Sequence, residues 1–459
     1  MVQHTSGLNV YTSLKSLHLG LFAPLLTILF NGGCLPPVAS TTGEGGAGAT
    51  SSSTGATGGE GGQPACRAES TVEAAAPSGN VYYLDPAGND NGPGTEEAPW
   101  RSIEKASNKM VAGDVALLKS GKYVGQVEIR VSGVFGAPIT FAAAPGAEPI
   151  ITALAAAKPH KDLIRIYGSH ITLSGLIVEN TFPGPGVGIF VNGAQWEPPG
   201  AEWVTLDGVE VRGAPGQGIL MSGNNNAVLN SRIHDNGEYA QFDHGIYVEG
   251  ACNVFRNNEV YKNWAFGIHL FGGEEGLAGH NRVERNFVYA NGFGAESEAP
   301  TEPTSGIVVA WNHPSNVIVE NVVCGNAKMG IFVRDGQPNT ELTRNVTCYN
   351  GDSGLALFDP GAGTVLSENI SYNDGLYALE TVSGVTSDQN VFYKAGGEPE
   401  FLYNKSAVNF DALKAQSGQD KNSAVKDPEF TNVPADGFNP DAAGEYDFCT
   451  PLIGALCGG

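Results

Sequence analysis

The chain has 459 residues, of which 41% are hydrophobic, 16% are charged and 63 are glycine. This size and composition fit one long domain with a tail. The formal net charge of −23 argues against a nucleic-acid partner, because nucleic-acid binding needs clustered Lys and Arg. The charge also disfavours long-range attraction of a polyanionic glycan unless local cations or a metal overcome it, and it is typical of a soluble exported protein.

Residues 1–33 have the pattern of an export signal. Lys15 gives a basic region, and the fourteen apolar-rich residues from Leu17 to Phe30 are too few to span a bilayer. Cys34 follows Asn31-Gly32-Gly33, so the segment resembles a bacterial lipoprotein signal in which Cys34 is lipidated, although Asn31 stands where that family prefers Leu. The alternative is an ordinary cleaved signal with a free or bridged Cys34. We expect an exported protein on the cell surface or outer membrane, or in the periplasm or medium.

Residues 34–80 predict a flexible tether, because a Gly, Ser and Thr-rich run cannot bury a core. Residues 81–128 predict a strand at Val81, a short helix from Ser102 to Met110 with Ser102 as its N-cap, and a strand at Val115. Between residues 129 and 226 short apolar strands alternate with turns. One long loop, from Gly193 to Glu202, contains Trp196, whose ring could stack on a sugar or simply pack in the loop.

Residues 305–380 repeat with a fixed period. Three Gly-led apolar strands lie 24 residues apart, as do Asn321, Asn345 and Asn369. Each unit has a second Asn downstream, assigned to Asn326, Asn350 and Asn373. A constant period with strand-like alternation indicates a solenoid of β-coils, with inward aliphatics forming the core and Asn side chains stacking at the corners.

At this point the chain resembles the right-handed parallel β-helix proteins of the pectate-lyase-like superfamily. The resemblance implies an all-β solenoid over residues 129–397, with the right-handed sense that this superfamily has. It also implies that the block at residues 81–128 is an N-terminal cap, whose helix covers the first open coil. Residues 398–459, with a short helix at Phe410 to Gln416, would be the C-terminal cap. We expect a monomer.

The cysteine pattern agrees with export, since six cysteines remain once Cys34 is set aside. Cys324 and Cys348 hold the same position in adjacent coils, about 4.8 Å apart, which is within disulfide range. Two buried reduced thiols would be the alternative. Cys449 and Cys457 could close a small loop, whereas Cys66 and Cys252 have no evident partner.

Long insertions on one edge of the solenoid mark a candidate site. The turn from the corner Asn to the strand Gly takes four steps in the short coils, but nine steps after Asn236 and fifteen after Asn291. These insertions predict two walls, Gly237 to His244 and Gly292 to Ser305, with His269 on the floor between them. Tyr247 should lie beside His269, about 4.8 Å away.

The residue types around this floor suit proton transfer on an acidic sugar. His269 or an ionised Tyr247 would remove a proton beside a carboxyl-bearing carbon, Tyr or His would protonate the leaving oxygen, and Arg334 would hold the carboxylate. This is the chemistry of β-elimination or C5 epimerisation of uronic-acid glycans, which occurs in the superfamily. The candidate catalytic residues are His269, Tyr247, His244, Asp243 and Arg334, and the candidate substrate-binding residues are Trp311, Trp196 and Glu249.

Three alternatives for function remain open. The pair at Tyr247 and His269 could simply stabilise the sheet. The protein could bind glycans or other proteins without turnover. It could also be a glycoside hydrolase, for which two carboxylates are needed, from Asp243, Glu249, Glu296 and Glu298. The sequence has neither the calcium-binding Asp clusters of pectate lyases nor zinc-type Cys spacing, so we predict no specific metal site, with calcium as a candidate cofactor only through the resemblance.

Overall fold

The computed structural model describes residue 66 and residues 79–153, 158, 160–181, 184, 186–238, 243–272, 279–293, 304–311, 314–434 and 437–448. Within these ranges the chain winds through three parallel sheets of twelve strands each, which we call A, B and C. None of the helices in the described ranges has the length and apolar character that a membrane-crossing segment requires.

Sheet A contains β1 (Val81–Leu84), β2 (Val115–Leu118), β5 (Ile139–Ala143), β8 (Ile171–Ser174), β11 (Thr205–Asp207), β14 (Ala227–Leu229), β17 (Val254–Arg256), β20 (Arg282–Glu284), β23 (Val317–Val319), β26 (Glu341–Thr343), β29 (Val365–Ser367) and β32 (Thr386–Asp388). Sheet B contains β3 (Gly121–Val124), β6 (Pro149–Ala153), β9 (Ile177–Asn180), β12 (Glu210–Arg212), β15 (Arg232–His234), β18 (Glu259–Tyr261), β21 (Phe287–Tyr289), β24 (Val322–Cys324), β27 (Val346–Cys348), β30 (Ile370–Tyr372), β33 (Val391–Tyr393) and β36 (Ala424–Val425).

Sheet C carries the candidate site. It contains β4 (Val127–Ile129), β7 (Ile164–Ile166), β10 (Ile189–Val191), β13 (Ile219–Met221), β16 (Ile246–Val248), β19 (Ile268–Phe271), β22 (Ser305–Ala310), β25 (Met329–Arg334), β28 (Ser353–Phe358), β31 (Tyr377–Thr381), β34 (Phe401–Tyr403) and β35 (Ser406–Val408). Each strand pairs in parallel with the equivalent strand of the next coil, except that β35 is antiparallel to β34. The predicted all-β parallel solenoid is confirmed.

The core is a column of aliphatic side chains that runs through the coils. In sheet C the flanking positions of each short strand point inward, and Ile246, Val248, Ile268 and Leu270 are fully buried. The residue between them points outward, which is the alternation that strand geometry requires. The spacing of apolar residues therefore decides which side chains face solvent on sheet C.

Asparagine ladders at the corners hold successive coils together. The Nδ2 atoms of Asn321 and Asn345 donate to the Oδ1 atoms of Asn345 and Asn369, at 3.0 Å each. These amides are completely buried, and each satisfies backbone groups of a neighbouring coil as well. A fully satisfied buried polar network of this kind fixes the coil register.

The second ladder differs from the prediction at its last member. Asn326 donates to Asn350 as expected, but Asn350 donates to Oδ1 of Asp374 at 2.9 Å, and Asn373 lies outside the ladder. Asn373 has a left-handed backbone with a φ of 54° and contacts the hydroxyl of Tyr349. The assignment of Asn373 was wrong because residue type was preferred over the 24-residue period, which points to position 374.

Two helices cover the ends of the solenoid. α1 (Ile103–Ser107) begins after Ser102, whose hydroxyl accepts the backbone N–H of Lys105, and it packs against β4. It is shorter than the predicted Ser102 to Met110 segment, because the chain turns at Asn108. α2 (Phe410–Ser417) buries Leu413 at the other end, and a 3-10 helix spans Pro440–Glu445.

Candidate functional site

Tyr247 and His269 are neighbours on the outer face of sheet C. They are register partners on β16 and β19, and their ring centroids lie 5.3 Å apart with the planes inclined by 49°. Both side chains are half-buried. The structure therefore places this pair side by side on the solvent face, as the coil period predicts.

His244 lies directly beneath the pair. It precedes the tight Gly245 turn into β16, is completely buried, and packs against the ring of Phe266 at 4.9 Å. The backbone N–H of Phe266 donates to Nδ1 of His244 at 3.3 Å. Burial lowers the pKa of His244 to about 3, so this imidazole is neutral near pH 7.

A hydrogen bond joins the two imidazoles. Nε2 of His244 lies 3.1 Å from Nδ1 of His269, with the rings nearly perpendicular at 87°. Nδ1 of His244 accepts from the backbone and cannot carry a proton, so its single proton is on Nε2. His244 therefore donates to Nδ1 of His269.

Tyr247 is a proton donor in this environment. Burial, and secondarily the negative charge of Glu249, raise the pKa of the phenol above its ordinary value of 10. An opposite effect would need a cation beside the hydroxyl. This raised pKa disfavours an ionised Tyr247 as the base, and the role of Tyr247 stays a prediction.

Glu249 lies two residues beyond Tyr247 on the same face. Its Oε2 accepts hydrogen bonds from the indole Nε1 of Trp196 at 2.9 Å and from the hydroxyl of Ser222 at 2.6 Å. The side-chain amide of Gln195 adds a longer contact at 3.5 Å. The structure thus unites Trp196 and Glu249, which the sequence suggested separately, into one hydrogen-bonded group at the edge of the face.

Aromatic side chains continue the face beyond the pair. Phe271 lies 5.8 Å from Tyr247 and 5.5 Å from His269 between ring centroids, and Trp311 follows at 5.9 Å from Phe271. Trp311 is 50% exposed. We call Tyr247, His269, Phe271 and Trp311 the aromatic strip. Ring faces of this kind suit the apolar faces of sugar rings.

Arg334 does not reach the pair. It is on β25, two strands from β19, with Val308 of β22 between His269 and that coil. Two strand spacings amount to about 9.6 Å. Its guanidinium pairs with Asp335 at 2.7 Å. The predicted carboxylate-holding role of Arg334 beside His269 is therefore not supported by the arrangement.

Asp243 has a structural position at the start of the turn. Its carboxylate is buried, and Oδ2 accepts the backbone N–H of Glu238 at 3.1 Å. A carboxylate in this place closes the turn that ends in His244.

The other guanidinium groups of the same face are paired with carboxylates. Arg130 contacts Glu128 and Glu197 at 3.0 Å each, and Arg165 lies 3.4 Å from Asp162. Local attraction for a polyanion is correspondingly weak in this part of the face, because each positive group has a negative neighbour.

Several predicted features lie outside the described residues. They include residues 239–242 of the first insertion wall and residues 294–303 of the second, the latter with Glu296 and Glu298, and the cysteines Cys34, Cys449 and Cys457. The height of the walls around His269 and the lipidation of Cys34 therefore stay predictions.

Two disulfides are present in the described part of the chain. Cys324 is bonded to Cys348, with a Cα–Cα distance of 4.4 Å, as the coil spacing allows. Cys66 is bonded to Cys252, although no sequence signal paired them. The second bond ties the end of the predicted tether to the solenoid three residues after Glu249.

The described residues contain no group of three or more His, Cys, Asp or Glu side chains that could hold a metal ion. A cleft of about 710 Å³ lies elsewhere, between the sheet B corner and the C-terminal segment, and is lined in part by Trp264, Tyr349 and Phe438. None of the predicted catalytic or substrate-binding residues lines that cleft, although Phe293 of the second predicted wall does.

Sequence reasoning missed Phe271, Ser222 and Phe266. Phe271 lies two residues past His269, and Ser222 follows β13 in the column of Glu249, so strand parity could have found both. Phe266 had no comparable signal, since its contact with His244 depends on how the corner turns.

The fold and the exposed face define a right-handed parallel β-helix protein. A family model described as "Pel9A-like, right handed beta helix region" matches residues 82–439. The match covers most of the chain, and the protein belongs to this family. One curated relative, "Uncharacterized protein YwoF" from Bacillus subtilis (strain 168), is 33% identical over 124 residues, which is 26% of each chain. The alignment thus spans about a quarter of that relative's length.

Three solved structures show the same fold at low sequence identity. Pectate lyase Pel9A has a TM-score of 0.55 and 20% identity, covering 68% of this chain and 79% of its own. A rhamnogalacturonan lyase has a TM-score of 0.52 and 18% identity, with 76% and 87% covered. The GH136 lacto-N-biosidase from Eubacterium ramulus has a TM-score of 0.50 and 15% identity, with 75% and 68% covered. These likenesses concern the fold alone.

Proposed function

We propose that this protein acts on polysaccharide along the outer face of sheet C, as a lyase or C5 epimerase of uronic-acid glycans. The observation that carries the proposal is the in-register pair Tyr247 and His269, with Glu249 on the same face. Glu249 lies two extended residues from Tyr247, or roughly 6.6 Å along the strand. Two proton-donating groups and a carboxylate are thus within the span of one sugar ring.

The hydrogen bonds suggest a role for each group. The Tyr247 hydroxyl keeps its proton and can give it to the leaving oxygen. His269, as a neutral donor, can hold the sugar carboxylate as negative charge builds there. The Glu249 carboxylate is the base that this part of the face offers.

In elimination the base takes the C5 proton, the C5 electron pair forms the new double bond, and the C4–oxygen bond breaks. The departing oxygen receives the Tyr247 proton. In epimerisation the C4–oxygen bond stays intact, and the C5 carbanion takes a proton from water on the side opposite the base. Neither reaction requires an oxidant or a reductant.

The comparisons support a polysaccharide as substrate without choosing the reaction. Family members and neighbours of this fold include a pectate lyase and a rhamnogalacturonan lyase, but also a lacto-N-biosidase. Because fold does not determine function, the choice of elimination rests on the site. Surface tethering through Cys34 is a further part of the proposal and follows from the N-terminal sequence pattern alone.

Incubation with a panel of polyuronates tests the reaction. Elimination creates an unsaturated uronate that absorbs ultraviolet light, and epimerisation incorporates solvent deuterium at C5 without chain cleavage. We expect Tyr247→Phe and Glu249→Gln each to lower kcat by roughly 10²-fold or more, as loss of a general acid or base does. Val124→Ala, at an exposed position of β3 on sheet B, is the control and should retain full activity.

Absence of both signals on every polyuronate would contradict the proposal. New reducing ends without unsaturation would instead indicate hydrolysis. Of its predicted carboxylates, Asp243 is buried in its turn, Glu249 lies beside Tyr247 on the face, and Glu296 and Glu298 lie outside the described residues.

Binding of a neutral polysaccharide without turnover is the second candidate function. It is favoured by the aromatic strip together with the pairing of Arg130, Arg165 and Arg334 to carboxylates. Glycan binding that depends on Trp311, with no product from any glycan, would support this candidate over the enzyme.

A further inference from the structure

We propose that His244 is a positioning residue that holds His269 as the tautomer protonated at Nε2 and unprotonated at Nδ1. The inference deepens the proposed function and gives His269 the role of hydrogen-bond donor rather than base. It rests on the chain of contacts that runs from the backbone of the corner to the outer face of sheet C.

The series of hydrogen bonds begins at a backbone N–H group, which can only donate. The backbone N–H of Phe266 donates to Nδ1 of His244 at 3.3 Å. A peptide N–H has no acceptor alternative, so Nδ1 of a neutral His244 must be the unprotonated nitrogen. The proton of His244 is consequently on Nε2.

The second contact fixes the tautomer of His269 on the outer face. Nε2 of His244 lies 3.1 Å from Nδ1 of His269, which must accept. Placing a proton on Nδ1 of His269 would set two N–H groups against each other, with one of them buried and unsatisfied. Leaving a buried N–H without an acceptor carries its full desolvation penalty, which favours one tautomer strongly.

The packing of His244 prevents the ring from escaping this arrangement. Phe266 stacks on it at 4.9 Å, the ring of His269 crosses it at 4.7 Å, and the side chain is buried. A flip of the imidazole would present a carbon to the peptide N–H of Phe266. The orientation is therefore held from two sides.

The consequence concerns which substrate atoms His269 can address. The nitrogen remote from His244 is Nε2, and in this tautomer it donates. Together with the protonated hydroxyl of Tyr247 it forms two adjacent donors, which suit a sugar carboxylate or a leaving oxygen and not a carbon-bound proton. Substrates with a carboxylate on the reacting sugar fit this donor pair.

Nitrogen NMR of the full-length protein labelled with ¹⁵N-histidine tests the proposal directly. We expect His269, identified by the resonances lost in His269→Gln, to show a protonated Nε2 and an unprotonated Nδ1 at pH 7.5. A protonated Nδ1 in the unmodified protein would overturn the proposal. This measurement needs no substrate, so it fails or succeeds independently of the proposed reaction.

Two variants separate the donor from mere packing. His244→Gln retains a side-chain N–H for Nδ1 of His269, and His244→Leu removes it. We expect the Leu variant to shift the His269 nitrogens toward the averaged position of a free imidazole, and the Gln variant to keep the original pattern. If a polyuronate is turned over, the Leu variant should lose at least about tenfold in kcat, and Gln should restore most of it. Equal spectra for the two variants would contradict the donor role.

Discussion

Individual protonation states decide what the outer face of sheet C can do. Tyr247 keeps its proton because the phenol is buried beside Glu249, and His244 stays neutral because burial excludes its charged form. Around Tyr247 the face therefore combines neutral donors with the hydrogen-bonded carboxylate of Glu249. A single residue type in the sequence, such as His or Tyr, does not reveal which of these states it will hold.

The buried His244 should make the protein sensitive to acid. The unfolded chain takes up a proton at the ordinary pKa of 6.5, whereas the folded chain does so only at about 3. Stability is unaffected above pH 6.5 and falls as the pH drops through the window between these values. From pH 7.5 to pH 5 the imidazole should cost about 2 kcal/mol of unfolding free energy.

Urea unfolding at both pH values measures this cost. The loss should be about 2 kcal/mol smaller in His244→Gln and in His244→Leu than in the unmodified protein. The two variants share only the absence of the imidazole, so a full acid-dependent loss in both would contradict the assignment of the buried neutral state.

At the level of elements, the corner ladders tie each coil to the next. Asn345 accepts from the backbone and side chain of Asn321 and donates to Asn369 and to the carbonyl of Ile318. The second ladder ends in Asp374, which accepts from Asn350 and from the hydroxyls of Thr347 and Ser371. Position in the coil, and not the amide group as such, determines ladder membership.

Replacing a buried asparagine of the ladder should destabilise the protein, whereas replacing an exposed asparagine should not. Asn345→Ala leaves buried groups of neighbouring coils unsatisfied and should cost roughly 3 kcal/mol of unfolding free energy or more. The exposed turn residue Asn91 offers a control, since Asn91→Ala should change stability by less than about 0.5 kcal/mol. Denaturant unfolding of the two variants decides the point, and equal stability would refute the structural role of the ladder.

Asp374→Asn should be stabilising at alkaline pH. Burial raises the pKa of Asp374 even though Ser371, Thr347 and Asn350 donate hydrogen bonds to its carboxylate. The aspartate therefore contributes stability that is present below its unfolded pKa and is lost as the pH rises through the higher folded value. Asn has the same shape without this loss, and the hydroxyls can turn to accept.

We expect the variant's unfolding midpoint to exceed that of the unmodified protein at pH 8 and the difference to shrink or reverse at pH 4.5. A midpoint below that of the unmodified protein at pH 8 would show instead that the ionised carboxylate holds the corner together.

For the whole molecule, the open ends of the solenoid are the weak points. The parallel stacking of sheet C ends with the antiparallel β35, and α2 packs its Phe410 against Phe392 and Phe401 at 5.7 and 5.4 Å. An uncovered strand edge is a template for pairing with another chain. The terminal segment thus closes the core and blocks edge-to-edge association.

Two truncations should distinguish these roles. Removal of residues 399–459 uncovers β31 and β33 and should produce concentration-dependent oligomers in sedimentation velocity. Removal of residues 449–459 keeps every described strand and helix and should leave the protein monomeric. A monomeric product from the longer truncation would show that the remaining edges need no cover.

The sequence by itself determined the coil period, the parallel register and the outward direction of Tyr247 and His269. These properties repeat locally, so alternation and a constant period are enough to specify them. The tertiary structure alone decided that Trp196 meets Glu249 and that His244 lies beneath His269. Such contacts join segments whose loops differ in length from coil to coil, and no periodic signal encodes how an irregular loop or corner directs its side chains.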